Sequence, residues 1–366
     1  GMRRVVPRFI KITWTWSLLV GCLAGMGLVA ADPLSEADLH ATIRNAVARG
    51  GDEIALPPGI IRIEKGLRLK DVKNLTLTGS PGDTTILQLP PLVYAISESA
   101  TLVGADRIAV TKLQGFGPGM RLHLETDGEV DPFTKKPRPY VIARVKTVEE
   151  GVLVLTEGLK FPVPTGTLIR DPDAPNLIEI REGCEGIRIE NLVLDGGRIA
   201  GDPPLRAHVQ LCGVLMQGRY SYEKGPTEAR PSGLVLVNCL VRNCHGRGVA
   251  LYSAQDCEIR GNRFFDISDE AIDLDHFTVR VQVVDNEVRH AFIGVEMNDA
   301  SGCLIEGNRI FNCRTGLHLW QFCKLPGLNE GNRIVRNRFE GFRGKAIQIQ
   351  EHLTRNTVAE NFVVGE

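Results

Sequence analysis

An asparagine returns at a nearly constant interval through the C-terminal half of this chain, and no other feature restricts its fold as much. Asn238, Asn262, Asn286, Asn308, Asn337 and Asn361 are separated by 24, 24, 22, 29 and 24 residues. Asn191, in "IRIENLVLDGG", stands 47 residues before Asn238, room for one more unit with an insertion. Each unit carries a second short apolar strand: "GVALY" at 248, "AIDLD" at 271, "GVEMN" at 294, "GLHLW" at 316 and "AIQIQ" at 346, with "GVLMQ" at 213 in the same frame.

A unit this short cannot bury its apolar face alone, so neighbouring units must stack. With short strands and no helix between them, the expected fold is all-β: a parallel β-helix solenoid with one coil per repeat. Equivalent residues then form ladders. The recurrent Asn is expected at a bend, where its side chain tolerates left-handed backbone and bonds neighbouring coils. That role is architectural. Composition agrees, since 39 glycines and only 6% aromatic residues suit tight turns. A formal net charge of −1 supplies no global field toward nucleic acid.

The flanks fit the same scheme. In "SEADLHATIRNAVARGG" (35–51), Ser35 is a helix cap, Leu39, Ile43 and Val47 share a face, and Gly50-Gly51 stops the helix. Such a helix can cover the end of a coil stack. "DEIALPPGIIRI" and "LKDVKNLTLTGSPGDTTIL" then read as the first coils. This order, followed by Asn-phased coils, resembles the right-handed parallel β-helix superfamily typified by pectate lyases. The resemblance covers residues 35–110 and 171–366. It implies a fold shared by polysaccharide lyases, glycoside hydrolases, uronan epimerases and non-enzymatic adhesins.

The period breaks at 112–170. "GMRLHLETDG" and "RPYVIARVKTVEEGVLVLTEGLKF" read as antiparallel strands with turns at "TDG" and "EEG". The expected organisation is a capping helix and first coils over 32–111, an inserted β module over 112–170, and the main β-helix over 171–366. Further insertions at 198–212 and 218–231 interrupt the coils near Gly213. Loops thrown off one side of a solenoid often build its binding site.

Residues 1–31 read as a leader. Gly1 before Met2 looks like a cloning scar. Arg3, Arg4, Arg8 and Lys11 precede the apolar run 12–31, which ends in Val29-Ala30-Ala31. This is a secretory signal pattern. It predicts a periplasmic or secreted protein with no stable membrane insertion after cleavage. A membrane anchor and lipidation at Cys22 are the rival readings. Eight cysteines remain after cleavage. Export permits disulfides between them, but their place in apolar strands equally suits small buried hydrophobes. The chain ends in "TVAENFVVGE" with no evident cap. Either the last residues or a second copy could cover that open coil edge.

The candidate site lies in "DEAIDLDHF" (269–277). Stacking the second strands sets Val214/Met216, Val249/Leu251, Ile272/Leu274, Val295/Met297, Leu317/Leu319 and Ile347/Ile349 inward. One outward ladder is then Leu215, Ala250, Asp273, Glu296, His318 and Gln348. The other is Gln217, Tyr252, Asp275, Asn298, Trp320 and Gln350. Ser253, His276, Asp299 and Glu351 come just past the strand. Coils about 4.8 Å apart gather Asp273, Asp275, Glu296 and Asn298 into one patch. Like charges this close must raise a carboxyl pKa, bind a cation or recruit His276 and His318.

Three chemistries suit that patch. Asp273, Asp275 and Glu296 are oxygen ligands suited to Ca²⁺, which would acidify the proton beside a uronate carboxylate for His276, His318 or Tyr252 to move. Two of the carboxyls could instead act as a hydrolase pair. Tyr252 and Trp320, with Asn298, Gln348, Gln350 and a basic rim including Arg247, could simply hold a sugar chain. The rest of that rim is Arg289, Arg314, Arg343 and Lys345, which could equally be salt-bridge partners of surface acids. Asp269 and Glu270 are expected in solvent, and His245 and His290 in structural bends. The inert alternative is an acidic face that keeps the solenoid soluble. The favoured expectation is cleavage of a uronate-containing polysaccharide by β-elimination. A glycoside hydrolase or a non-catalytic glycan-binding protein are the alternatives. "AIDLDHF" is reminiscent of the Asp-Pro-His-Asp element of mannuronan epimerases, with a different order and no proline, so no catalytic set transfers.

Overall fold

A computed structural model describes residues 34–205 and 210–365. The leader and its cleavage site fall outside these residues. Among the described residues no helix is long and apolar enough to cross a membrane.

The helix Glu36–Ala48 forms where the sequence places it. Ser35 and Asp38 close a reciprocal capping box, and Leu39, Ile43 and Ala46 are buried against the first coils. From there the chain winds into a right-handed parallel β-helix with three faces. The first face is a nine-stranded parallel sheet running from Asp52–Ala55 to Thr357–Ala359. The second and third faces belong to one 15-stranded sheet. The strands Arg263–Asp275 and Glu287–Asn298 run unbroken around the corner between those two faces and join them.

The expected register holds on the third face. Val214, Val249, Ile272, Val295, Leu317 and Ile347 align in sequence, as do Leu215, Ala250, Asp273, Glu296, His318 and Gln348. The inward residues form one continuous apolar core the length of the stack. Burying each such side chain is worth about 1.5–3 kcal/mol before entropy is charged against it. The repeated Gly before the strand is explained by crowding. A Cβ on Gly294 would lie 2.5 Å from the Gly316 carbonyl oxygen and from Ile310 Cγ2.

The asparagine ladder needs a correction. Asn262, Asn286, Asn308, Asn337 and Asn361 do stack, each Nδ2 donating to the Oδ1 of the next at 2.9–3.0 Å. Asn238 and Asn191 stand one residue earlier, at the left-handed turn (φ 52° and 56°). The ladder slot beside Asn262 is Cys239, whose amide donates to Asn262 Oδ1. The left-handed conformation thus belongs to the preceding residue (Gly261, Asp285, Gly307), and the stacked Asn sits inside the bend.

The inserted module is a closed six-stranded antiparallel barrel, and it begins earlier than the period break at 112 suggests. Tyr94–Ser97 and Arg107–Thr111 pair with its later strands, so it spans the strands from Tyr94 to Arg170 around its own apolar core. It leaves the solenoid after the second-face strand Thr85–Gln88 and returns before the third-face strand Ile178–Ile180. All eight cysteines past the leader are buried and free, so none forms the disulfide that export would permit.

Candidate functional site

The acidic ladder is not an open face. Asp273 is 1% exposed, Asp275 6%, Glu296 7% and Asn298 2%. Three segments distant in sequence cover them. The loop after Gln217 forms a small hairpin, Tyr220–Ser221 with Gly225–Pro226, that brings Tyr220 and Tyr222 over the strand ends. The loop after Trp320 brings Phe322 and Cys323. The barrel contributes Phe133, whose ring lies 5.1 Å from that of Tyr222 and 5.7 Å from that of Phe322.

Beneath this lid lies a polar network. Arg247 Nε lies 2.9 Å from Glu270 Oε2 and 2.8 Å from Asp273 Oδ2. Tyr252 donates its hydroxyl to Asp273 Oδ2 at 3.2 Å. Glu270 was expected in solvent and is instead buried, because the strand Arg263–Asp275 already includes it. Burial pushes its carboxyl up to about 8, against the pull of Arg247. Burial, with Asp275 adding repulsion, likewise raises Asp273 well above the usual carboxylate range. Burial also pulls on Arg247, but Tyr252, Asp273 and Glu270 outweigh it and keep the guanidinium charged. Asp273 Oδ1 is enclosed with no hydrogen-bond partner, which fits a carboxyl that holds a proton.

His276 occupies the centre of the lid. Its Nδ1 lies 2.9 Å from Asp299 Oδ2 and 3.3 Å from Asp275 Oδ1. Its ring is surrounded by Tyr220, Tyr222, Tyr252, Phe277 and Phe322, with centroids 5.0 to 6.3 Å away. Asp299, in a left-handed turn (φ 56°), also accepts the backbone N–H groups of Phe322 and Cys323 at 2.9 and 3.1 Å. One carboxylate therefore orients the imidazole and anchors the lid loop.

A second cluster forms the lid's rim. Glu296 accepts Trp320 Nε1 at 3.0 Å and lies 3.2 Å from His318 Nδ1, and the His318 and Trp320 rings stack at 5.9 Å. Gln350 Oε1 accepts the Gln321 amide, and Gln348 stands exposed beside His318. Arg247 is no rim residue: it lies under the acids. Arg289 pairs with Glu287, whereas Arg314, Arg343 and Lys345 take part in no ion pair among the described residues.

The three carboxyls expected to suit Ca²⁺ are Asp273, Asp275 and Glu296. Asp273 Oδ2 already faces Arg247 and Tyr252, Asp275 Oδ1 accepts the His276 amide at 2.7 Å, and Glu296 is held by His318 and Trp320. Arg247 supplies positive charge beside Asp273 and Glu270, and Asp275 and Glu296 already hold protein donors. Donor atoms of His276, Asp299 and Cys323 lie within 4.8 Å of one another, a mixed N, O, S set of softer character.

The structure places Asp273, Asp275, His276, Glu296, Asn298, Tyr252, His318 and Trp320 next to one another, as the stacked register implied. Sequence reasoning missed Glu270, Cys323 and the lid residues Tyr220, Tyr222, Phe322 and Phe133, and gave Asp299 no role. Asp299 had a signal: one coil past His276, in a turn, it is an acid that stacking places beside the imidazole.

Residues 210–339 match the family model described as the right-handed β-helix region. Solved structures with this likeness include the N-terminal fragment of bacteriophage phi29 gene product 12 (11% identity, TM-score 0.46, 82% of this chain and 44% of that one). The complex of XylC with xylose (11%, 0.39, 83% and 65%) and the Agl-KA catalytic domain (11%, 0.38, 87% and 51%) are others. The chain spans less than two thirds of each of these three. No curated protein matches it in sequence.

Proposed function

We propose that this protein cleaves a uronate-containing polysaccharide by β-elimination under the aromatic lid. The observation that carries this reading is the fixed imidazole. Asp299 and Asp275 hold His276 at Nδ1, and Nε2 forms no hydrogen bond among the described residues. A His oriented through one nitrogen presents the other to substrate as a base. Nε2 would take the proton beside the uronate carboxylate, the C–H electrons would form the new double bond, and the glycosidic C–O bond would break. Tyr252 or the protonated Asp273 would return a proton to the leaving oxygen. Aromatic rings around His276 suit the apolar faces of sugar rings. Substrate entry requires the hairpin at 220–226 to lift. The leader at 1–31 adds export to this reading.

Hydrolysis is the second reading, favoured by one relationship. Asp273 and Glu296 are direct partners on adjacent coils, with Asp273 held in its acid form.

The test is product formation from acidic and neutral polysaccharides, following ultraviolet absorbance of unsaturated ends together with reducing ends. Both rising, and both lost in His276→Ala, is the expected result. Reducing ends alone would replace elimination with hydrolysis. No product from any glycan would remove the catalytic reading.

A further inference from the structure

Most surface arginines of the second face sit in ion pairs. Arg242 binds Asp195, Arg289 and Arg309 bind Glu287, and Arg338 binds Glu340. At the corner leading to the third face the pattern stops. Arg198, Arg314, Arg343 and Lys345 form no ion pair among the described residues. Unpaired cations gathered at one corner repel one another and gain nothing for the fold.

Between Arg198 and Arg343 lies a groove of about 520 Å³. Arg198, Ser268, His290, Phe292, Asn312 and Arg343 line it, and no carboxylate does. Asp266, Asp269 and Glu340 each stand next in sequence to a lining residue, and none of them is part of the lining. His290 and Asn312 take left-handed backbone (φ 58° and 54°) and are exposed. Phe292 is 40% exposed, with the Arg314 guanidinium 5.1 Å from its ring centre. Arg198 Nε is enclosed with no hydrogen-bond partner.

We propose that this corner groove binds a carboxylate-bearing stretch of an acidic polysaccharide, apart from the reacting bond. Guanidinium groups match carboxylates in a fixed two-pronged geometry, and the Phe292 ring offers a platform for a sugar face. The same two strands carry both places. Arg263–Asp275 holds Ser268 at the groove and Asp273 under the lid, and Glu287–Asn298 holds Phe292 and Glu296. The separation along the strand is on the order of 15 Å, within reach of one oligosaccharide. The choice of a saccharide rests on the function proposed above; the anionic character of the ligand rests on the groove alone.

The test is calorimetric binding to the full chain of oligomers of galacturonate, mannuronate and glucuronate. A neutral oligosaccharide of the same length and a single-stranded oligonucleotide serve as comparisons. Wild type and His276→Ala are expected to bind at least one acidic oligomer with salt-sensitive affinity. The Arg198→Ala/Arg343→Ala double variant should bind it at least about tenfold more weakly, since two charge-assisted hydrogen bonds are lost. Arg343→Glu, an exposed change that leaves Arg198 in place, should weaken binding as well. Unchanged affinity in folded variants, equal affinity for the neutral oligomer, preference for the oligonucleotide, or no binding of any acidic oligomer would overturn the proposal. Groove-dependent binding without turnover would instead remove the catalytic reading and leave the groove.

Discussion

Asp299 Oδ2 lies 2.9 Å from His276 Nδ1 across two adjacent coils, and the same carboxylate accepts the amides of Phe322 and Cys323. Orientation of the imidazole and closure of the lid loop are therefore tied to one side chain. Asp299→Asn separates the two. The amide keeps an oxygen for the loop N–H groups but no longer offers a carboxylate to Nδ1. Turnover on the active glycan should fall about 10²–10⁴-fold. The melting temperature should shift by no more than the equivalent of about 1 kcal/mol. Steady-state kinetics and calorimetry on the same preparation check both.

Stability should fall as pH rises above neutrality. Glu270, pushed up to about 8, keeps its proton in the folded state, whereas an unfolded Glu loses it near 4.3. The folded state then binds more protons across that window, so unfolding becomes easier as pH climbs from about 4.3 to about 8. His245 opposes this at the acid end. Burial lowers it to about 4, so between about 4 and 6.5 the unfolded state binds more protons and its contribution grows with pH. From about 6.5 to 8 the carboxyl effect stands without that opposition. Denaturant melts across this range should show declining stability, with a shallower slope in Glu270→Gln.

The corrected asparagine ladder predicts unequal costs at two positions that look alike in sequence. Asn286 is enclosed, donating to the Ile259 carbonyl and Asn308 and accepting from Asn262. Asn286→Ala should cost about 2–4 kcal/mol, because it strands partners in both neighbouring coils. Asn238 is exposed at φ 52°, so Asn238→Gly should be close to neutral. Equal losses in urea titrations would reject the ladder assignment.

The lid should control access to His276. The Tyr222 ring lies 5.0 Å from His276 and 5.2 Å from Phe322. Tyr222→Ala should speed chemical acylation of His276 several-fold. His245, buried beside Asp202, should react at an unchanged rate. Peptide mapping by mass spectrometry reads both sites at once.

The interval between asparagines and the alternation within "AIDLD" and "GVEMN" determined the coil, the register and which residues would share a ladder. Strand periodicity and the fixed spacing between stacked strands leave no freedom in those matters. Even the one-residue error at Asn238 kept the face assignment, because it fell in a turn. Whether the ladder met water was decided elsewhere. Tyr220, Phe322 and Phe133 come from loops and a barrel with no repeat of their own, and nothing in the local pattern of Asp273 or Glu270 announces a cover. Burial depends on the tertiary meeting of segments far apart in the chain. That meeting buried Asp273, Asp275 and Glu296 together with Glu270, set Glu270 and Asp273 beside Arg247, and gathered them around one oriented histidine.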